Sequence, residues 1–229
     1  AWISERKDVL YGFFYLASLI SYLSYVRQGR KPKYYCLCLI FFVLSLLSKA
    51  MAITLPLVLF LLDYFVSDKI YRPAWKDKIP FFIFACIFSV IAVVAQNSSG
   101  AIRHEEMFHV LRSFSVAVFA VVFYLSKILF PFKLSCFYSS EVVWDMALFW
   151  PVIFFAGLAI GVSVAVRPLA RKIIFGILFF LIVLLPVLQF IPIGRALVAD
   201  RYAYISSLGI FYCLAEIFTW LYGQKIKNL

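Results

Sequence analysis

The 229-residue chain is 65% hydrophobic and only 14% charged, with a mean hydropathy of +0.99, too much apolar surface for a water-soluble domain of this length. Its formal charge of +11 would suit nucleic acid, but Lys and Arg form short clusters between apolar runs instead of lining one face, so topogenic charge and attraction to lipid headgroups are expected and nucleic acid is not. The composition predicts an all-α, polytopic transmembrane helical bundle, a single multi-pass membrane domain over residues 1–229.

In chain order, runs long enough to cross a bilayer occur at Val9–Val26, Tyr34–Ser48, Ala50–Val66, Ile79–Gln96, Ser113–Phe132, Ala147–Val166, Ile173–Ile193 and Tyr204–Tyr222. Only Lys49 separates the second from the third, which predicts a tight helical hairpin there. Pro56, Pro80, Pro151, Pro186 and Pro192 fall near run ends or inside runs, where neighbouring helices can compensate for lost backbone hydrogen bonds. Cys36, Cys38, Cys86 and Cys213 lie in apolar runs and read as small buried hydrophobes, while Cys136 looks interfacial; no disulfide framework or metal set emerges. The chain opens at Ala1 without a signal-peptide pattern, and is expected to be a fragment of a longer protein.

Basic residues cluster at Arg27–Lys33, Lys69–Lys78, Arg167–Lys172 and Lys225–Lys227. If all eight runs cross, the first two clusters oppose the last two and the sides hold 11 and 10 basic residues, with Lys127 left out as lying inside a run. If Ser113–Phe132 enters and leaves on one face, all four clusters share the cytoplasmic side and the split is 13 to 8, the preferred arrangement. Ala1–Asp8, Lys49, Asn97–Arg112, Lys133–Met146 and Gly194–Tyr202 then gather on the non-cytoplasmic face.

No P-loop, Rossmann glycine fingerprint, nucleophile elbow or zinc spacing is present. His104 and His109 sit with Glu105 and Glu106 in a polar loop, five residues apart, which is not the one-face spacing of helical metal ligands. The informative residues are charges at membrane edges on the side the bias disfavours. Arg6, Lys7 and Asp8 precede the first run, Lys49 interrupts two runs with no acid near it in sequence, and Asp200, Arg201 and Tyr202 open the last run, with Arg195 upstream. Each suits helix capping or interfacial anchoring; together they suggest an anionic ligand at the outer edge, since Arg offers a planar fork for phosphate and Lys a point charge.

At these residues the chain resembles a known family. AWISERKDVL with LSKAMAITLPLVLFLLDYF (within Ala1–Phe65), YLSKILFPFKLSCFY (Tyr124–Tyr138) and ADRYAYISSLGIF (Ala199–Phe211) are similar, in this order, to the membrane domain of the transmembrane and tetratricopeptide-repeat O-mannosyltransferases and their bacterial relatives. The resemblance implies a GT-C fold. It implies transfer of a sugar, mannose in the animal members, from a polyprenyl phosphate to a protein Ser/Thr or other acceptor on the outer face. The membrane would be the bacterial inner membrane or the endoplasmic reticulum. Arg6 and Asp8 match the family's Arg-x-Asp element, Lys49 its Ser-Lys element, and Arg201 and Tyr202 the segment before the last signature helix. The expected roles are donor-phosphate binding for Arg6, Lys49 and Arg201, and support from Asp8, Asp200 and Tyr202, with membrane lipid, the lipid-linked sugar and a protein acceptor as partners and no cofactor or metal.

Two parts of the family pattern are absent from this stretch. The first external loop with its catalytic carboxylates is expected before Ala1, and the tetratricopeptide repeats after Leu229. A lipid-linked-sugar transporter and a non-catalytic anchor for a repeat domain remain alternatives. A pair of acids in that upstream loop would favour the transferase, inverted repeats a transporter, and a loop without carboxylates an anchor.

Overall fold

The computed structural model describes residues 6–66, 75–98, 110–132, 134–135, 138, 157, 167–188 and 198–227. Among them every regular element is helical and no strand occurs: α1 (Arg6–Arg27), α2 (Pro32–Ser48), α3 (Leu55–Val66), α4 (Ile79–Ser98), α5 (Val110–Leu129), α6 (Arg167–Leu184) and α7 (Ser207–Lys227), with 3-10 turns at Ala50–Thr54, Trp75–Lys78, Leu185–Val187 and Asp200–Ala203. Seven of the eight expected runs thus correspond to described helices; Ala147–Val166, apart from Gly157, lies outside the described residues. Three stretches, Arg6–Arg27, Trp75–Ser98 and Leu169–Val187, are long and apolar enough to cross a membrane, and the remaining apolar helices are shorter. The chain divides into two compact units, Ala1–Ile102 and Arg103–Leu229.

In the first unit the dominant packing is α1 against α2. Their connection is set by local chemistry: Gly29 and Arg30 both take left-handed backbone conformations (φ 71° and 61°), and Arg30 N–H reaches back to the Tyr25 carbonyl at 2.9 Å, closing α1 with a Schellman-type cap. Lys31 is then extended and Pro32 opens α2, a position where its missing N–H costs nothing. At the other end Lys49 is extended (φ −158°, ψ 132°), which breaks the helix before the 3-10 turn leading to α3. The expected tight hairpin of the second and third runs gives way to a different pairing: α2 folds on α1, and α3 packs on α1 and α4.

The face that α1 buries is polar. Asp8, Tyr11, Tyr15, Ser18, Tyr22 and Tyr25, spaced alternately three and four residues apart, are all buried, whereas Val9, Phe13 and Ile20 are more than 60% exposed. Water would invert this arrangement; a lipid solvent favours it, because hydrocarbon rewards apolar side chains outside and forces polar groups to find partners inside. The partners are there. The Tyr15 hydroxyl lies 3.2 Å from Thr54 Oγ1, Ser18 Oγ donates to the Cys38 carbonyl at 2.8 Å, and Ser45 Oγ donates to the Tyr11 carbonyl at 3.1 Å.

In the second unit α6 and α7 form the main pair, antiparallel and in very close approach. A Cβ on Gly176 would fall 2.5 Å from the Gly209 carbonyl oxygen, and one on Gly209 would fall 2.9 Å from the Phe180 nitrogen. Backbone meets backbone there, the small-residue contact by which helices pack tightly in lipid. Leu169, Ile173 and Cys213 form a buried cluster beside it, with Ile177, Ile217 and Trp220 packed around them.

Helix α5 bears on the fifth run: Val110–Leu129 is a single helix without a turn. The reason is compositional: no Gly or Pro occurs between Val110 and Leu129, and the first breaker is Pro131.

Candidate functional site: buried charges at the helix ends

The charged residues of the first unit collect at opposite ends of α1. At its first turn Asp8 Oδ1 forms an ion pair with Lys49 Nζ, which stands at the break after α2. The acid that Lys49 lacked in its own neighbourhood therefore comes from 41 residues upstream. Both side chains are largely shielded, Lys49 14% and Asp8 9% exposed. Shielding two charges is costly unless they meet, so each residue accounts for the other's tolerance at an apolar helix end. Arg6 and Lys7, on the same turn, are exposed.

At the far end of α1, about 21 Å away for 14 helical residues, a second pair is buried outright. Asp63 and Lys78 form an ion pair with side chains 1% and 0% exposed, the Tyr22 hydroxyl donates to Asp63 Oδ1 at 2.7 Å, and Lys78 Nζ donates to that same hydroxyl at 2.8 Å. The ammonium also lies 5.0 Å from the Phe60 ring centroid, within cation–π range. Next to it Tyr25 donates to Asp77 Oδ2 and Tyr35 to the Asp77 carbonyl, each at 2.9 Å. Tyr22 and Tyr25 thus bring the end of α1, beside the Arg27–Lys33 basic cluster, to the Asp77–Lys78 turn, so Lys76 and Lys78, the described members of the second basic cluster, share an end with the first and Asp8–Lys49 occupies the other.

In the second unit Asp200 starts a 3-10 turn, and its Oδ2 accepts the Ser135 N–H at 2.7 Å and the Tyr138 hydroxyl at 2.8 Å. Burial and this carboxylate push the Tyr138 hydroxyl up to about 12, so it remains a donor at neutral pH. The neighbouring Ala199 N–H donates to the Tyr124 hydroxyl of α5 at 3.2 Å, which ties the turn to that helix. Lys127 donates to the Phe132 carbonyl at 2.7 Å and lies 5.4 Å from the Tyr138 ring centroid. Arg201 is half-buried, with its guanidinium 5.4 Å from the ring centroid of Tyr202.

Asp8 joins Lys49. The described bonds of Asp200 run instead to the segment around residues 135–138. Arg201, Asp200 and Tyr202 belong to the second unit, Arg6, Asp8 and Lys49 to the first. His104, His109, Arg195 and Cys136 lie outside the described residues, among which no group of three or more His, Cys, Asp or Glu side chains could hold a metal ion.

Sequence reasoning missed Asp63, Lys78 and Glu216. Glu216, in the last apolar run, accepts from Lys172 Nζ at 2.6 Å and joins α7 to α6. All three carried a readable signal, a charge inside or against an apolar run, which needs a partner wherever it sits. Compared with protein-family models, curated proteins and solved structures, the chain matches none.

Proposed function

We propose that this chain is part of a membrane glycosyltransferase of the GT-C type, which moves a sugar, mannose on the family resemblance, from a polyprenyl phosphate to a protein Ser/Thr or other acceptor on the non-cytoplasmic face. The observation that supports the reading is the Asp8–Lys49 pair: a cation kept at the end of apolar helices, opposite Arg27, Lys76 and Lys78, the kind of position from which a side chain can meet a lipid phosphate. Arg201, at the start of the last apolar helix, supplies a planar donor fork of the kind that binds phosphate. In glycosyl transfer with inversion, a carboxylate takes the proton of the acceptor hydroxyl, whose oxygen bonds to the sugar's anomeric carbon as the bond to the lipid phosphate breaks. Negative charge grows on that phosphate in the transition state, so a cation facing it, the role the resemblance implies for Lys49 and for Arg201, stabilises the transition state more than the ground state. Arg6 is a third cation for the same charge. Asp8 holds Lys49 in position and Asp200 organises the turn that carries Arg201 and Tyr202.

The test is sugar transfer by the full-length protein in vesicles, supplied with polyprenyl phosphate mannose and a Ser/Thr peptide. Arg201→Met, and the pair Asp8→Asn with Lys49→Met, which strands no charge, should each lower turnover by roughly ten- to a thousandfold. Arg201→Lys should recover part of the loss, because charge returns without the fork. Parental rates in all folded variants would make these cations interfacial anchors and end the proposal.

A further inference from the structure

Along the polar stripe of α1, Tyr15, Ser18, Tyr22 and Tyr25 all have hydrogen-bond partners for their side-chain oxygens. The exceptions are confined to one end. Asp8 Oδ2 and the Tyr11 hydroxyl are buried and have no hydrogen-bond partner among the described residues. The two residues are only 6% and 2% exposed, and a separation of three places them on one helix face a turn apart. Their surroundings are otherwise settled: Asp8 Oδ1 is held by Lys49, the Tyr11 backbone carbonyl by Ser45, and the Tyr11 ring packs edge-on to Tyr15 at 5.5 Å. What is left over is one strong acceptor and one phenolic O–H.

These two leftovers match the capacity of a single hydroxyl group, which donates once and accepts through its lone pairs. At Asp8 Oδ2 itself an anion would meet a carboxylate, whereas a hydroxyl can donate to that oxygen and accept from Tyr11. We infer that Asp8 and Tyr11 form a hydroxyl-binding subsite for the sugar of a lipid-linked donor, beside the cation that faces its phosphate. The sugar O–H donates to Asp8 Oδ2 and its oxygen accepts from Tyr11. This rests on the function proposed above and adds to it a contact that reads the sugar and not the phosphate. A trapped water has the same hydrogen-bonding chemistry, so the experiment must separate the two sources.

The probe is equilibrium binding by the full-length protein in nanodiscs of two lipids, polyprenyl phosphate mannose and the same polyprenyl phosphate without sugar. The variant is Tyr11→Phe, which keeps the ring and its packing and removes only a hydroxyl without a partner among the described residues, so it should unfold no more easily than the parent. Affinity for the sugar-bearing lipid should fall roughly five- to tenfold, and affinity for the bare phosphate should not change. Unchanged affinity for both lipids would mean that water completes the pair, and equal loss for both would mean that Tyr11 acts through the phosphate; either result overturns the subsite while leaving the transferase proposal standing. A parent protein that binds neither lipid removes that proposal and the subsite with it.

Discussion

Replacing Lys49 by Met tests whether the Asp8–Lys49 pair holds the end of the first unit together. The substitution leaves the Asp8 carboxylate, 6% exposed, without the cation on Oδ1 and with Oδ2 already unpartnered. Removing one member of a fully buried pair costs about 3–5 kcal/mol. Lys49 retains 14% exposure, which lowers the penalty to about 2–4 kcal/mol. Adding Asp8→Asn to Lys49→Met removes both charges and should restore stability to within about 1 kcal/mol of the parent, since replacing a buried pair is often near neutral. A double-mutant cycle on detergent unfolding of the full-length protein would therefore return a coupling at least as large as the stability that Asp8→Asn restores, about 1–3 kcal/mol. A Lys49→Met protein as stable as the parent, or a double variant as unstable as Lys49→Met alone, would refute the reasoning.

Lys78→Met should be the more damaging substitution in the same assay, because Lys78 is fully buried and holds both Asp63 and the Tyr22 hydroxyl; a smaller loss than that of Lys49→Met would contradict the ranking by burial. Gly209→Leu should separate α6 from α7 and lower the unfolding midpoint sharply, while Cys213→Ala, which only shortens a side chain at the same contact, should cost much less; equal effects would argue against backbone contact as the cause. Single-cysteine labelling in intact vesicles should find Gln28 and Lys76 on the cytoplasmic face and Ser99 and Ser139 on the other. If Ser99 and Ser139 label from opposite sides, α5 crosses, and a shared phosphate role for Lys49 and Arg201 fails.

Helical class and lipid as solvent were legible in composition and run length, properties that each short window of chain carries by itself. So was the polar repeat of α1, whose alternating three- and four-residue spacing can be read from Asp8 to Tyr25. The continuity of α5 was equally legible, since its residues include no Gly or Pro. Lys49 stood out as a cation between two apolar runs; that Asp8 answers it, and that Asp63 answers Lys78 and Glu216 answers Lys172, was decided by which helices pack together. The same holds for Gly176 and Gly209, small residues in apolar runs until α6 and α7 approach closely enough to exclude a Cβ. Hydropathy and periodicity act along a few turns of one helix, but a buried charge must be satisfied by whatever the fold brings within hydrogen-bond reach, and only the tertiary structure determines that partner.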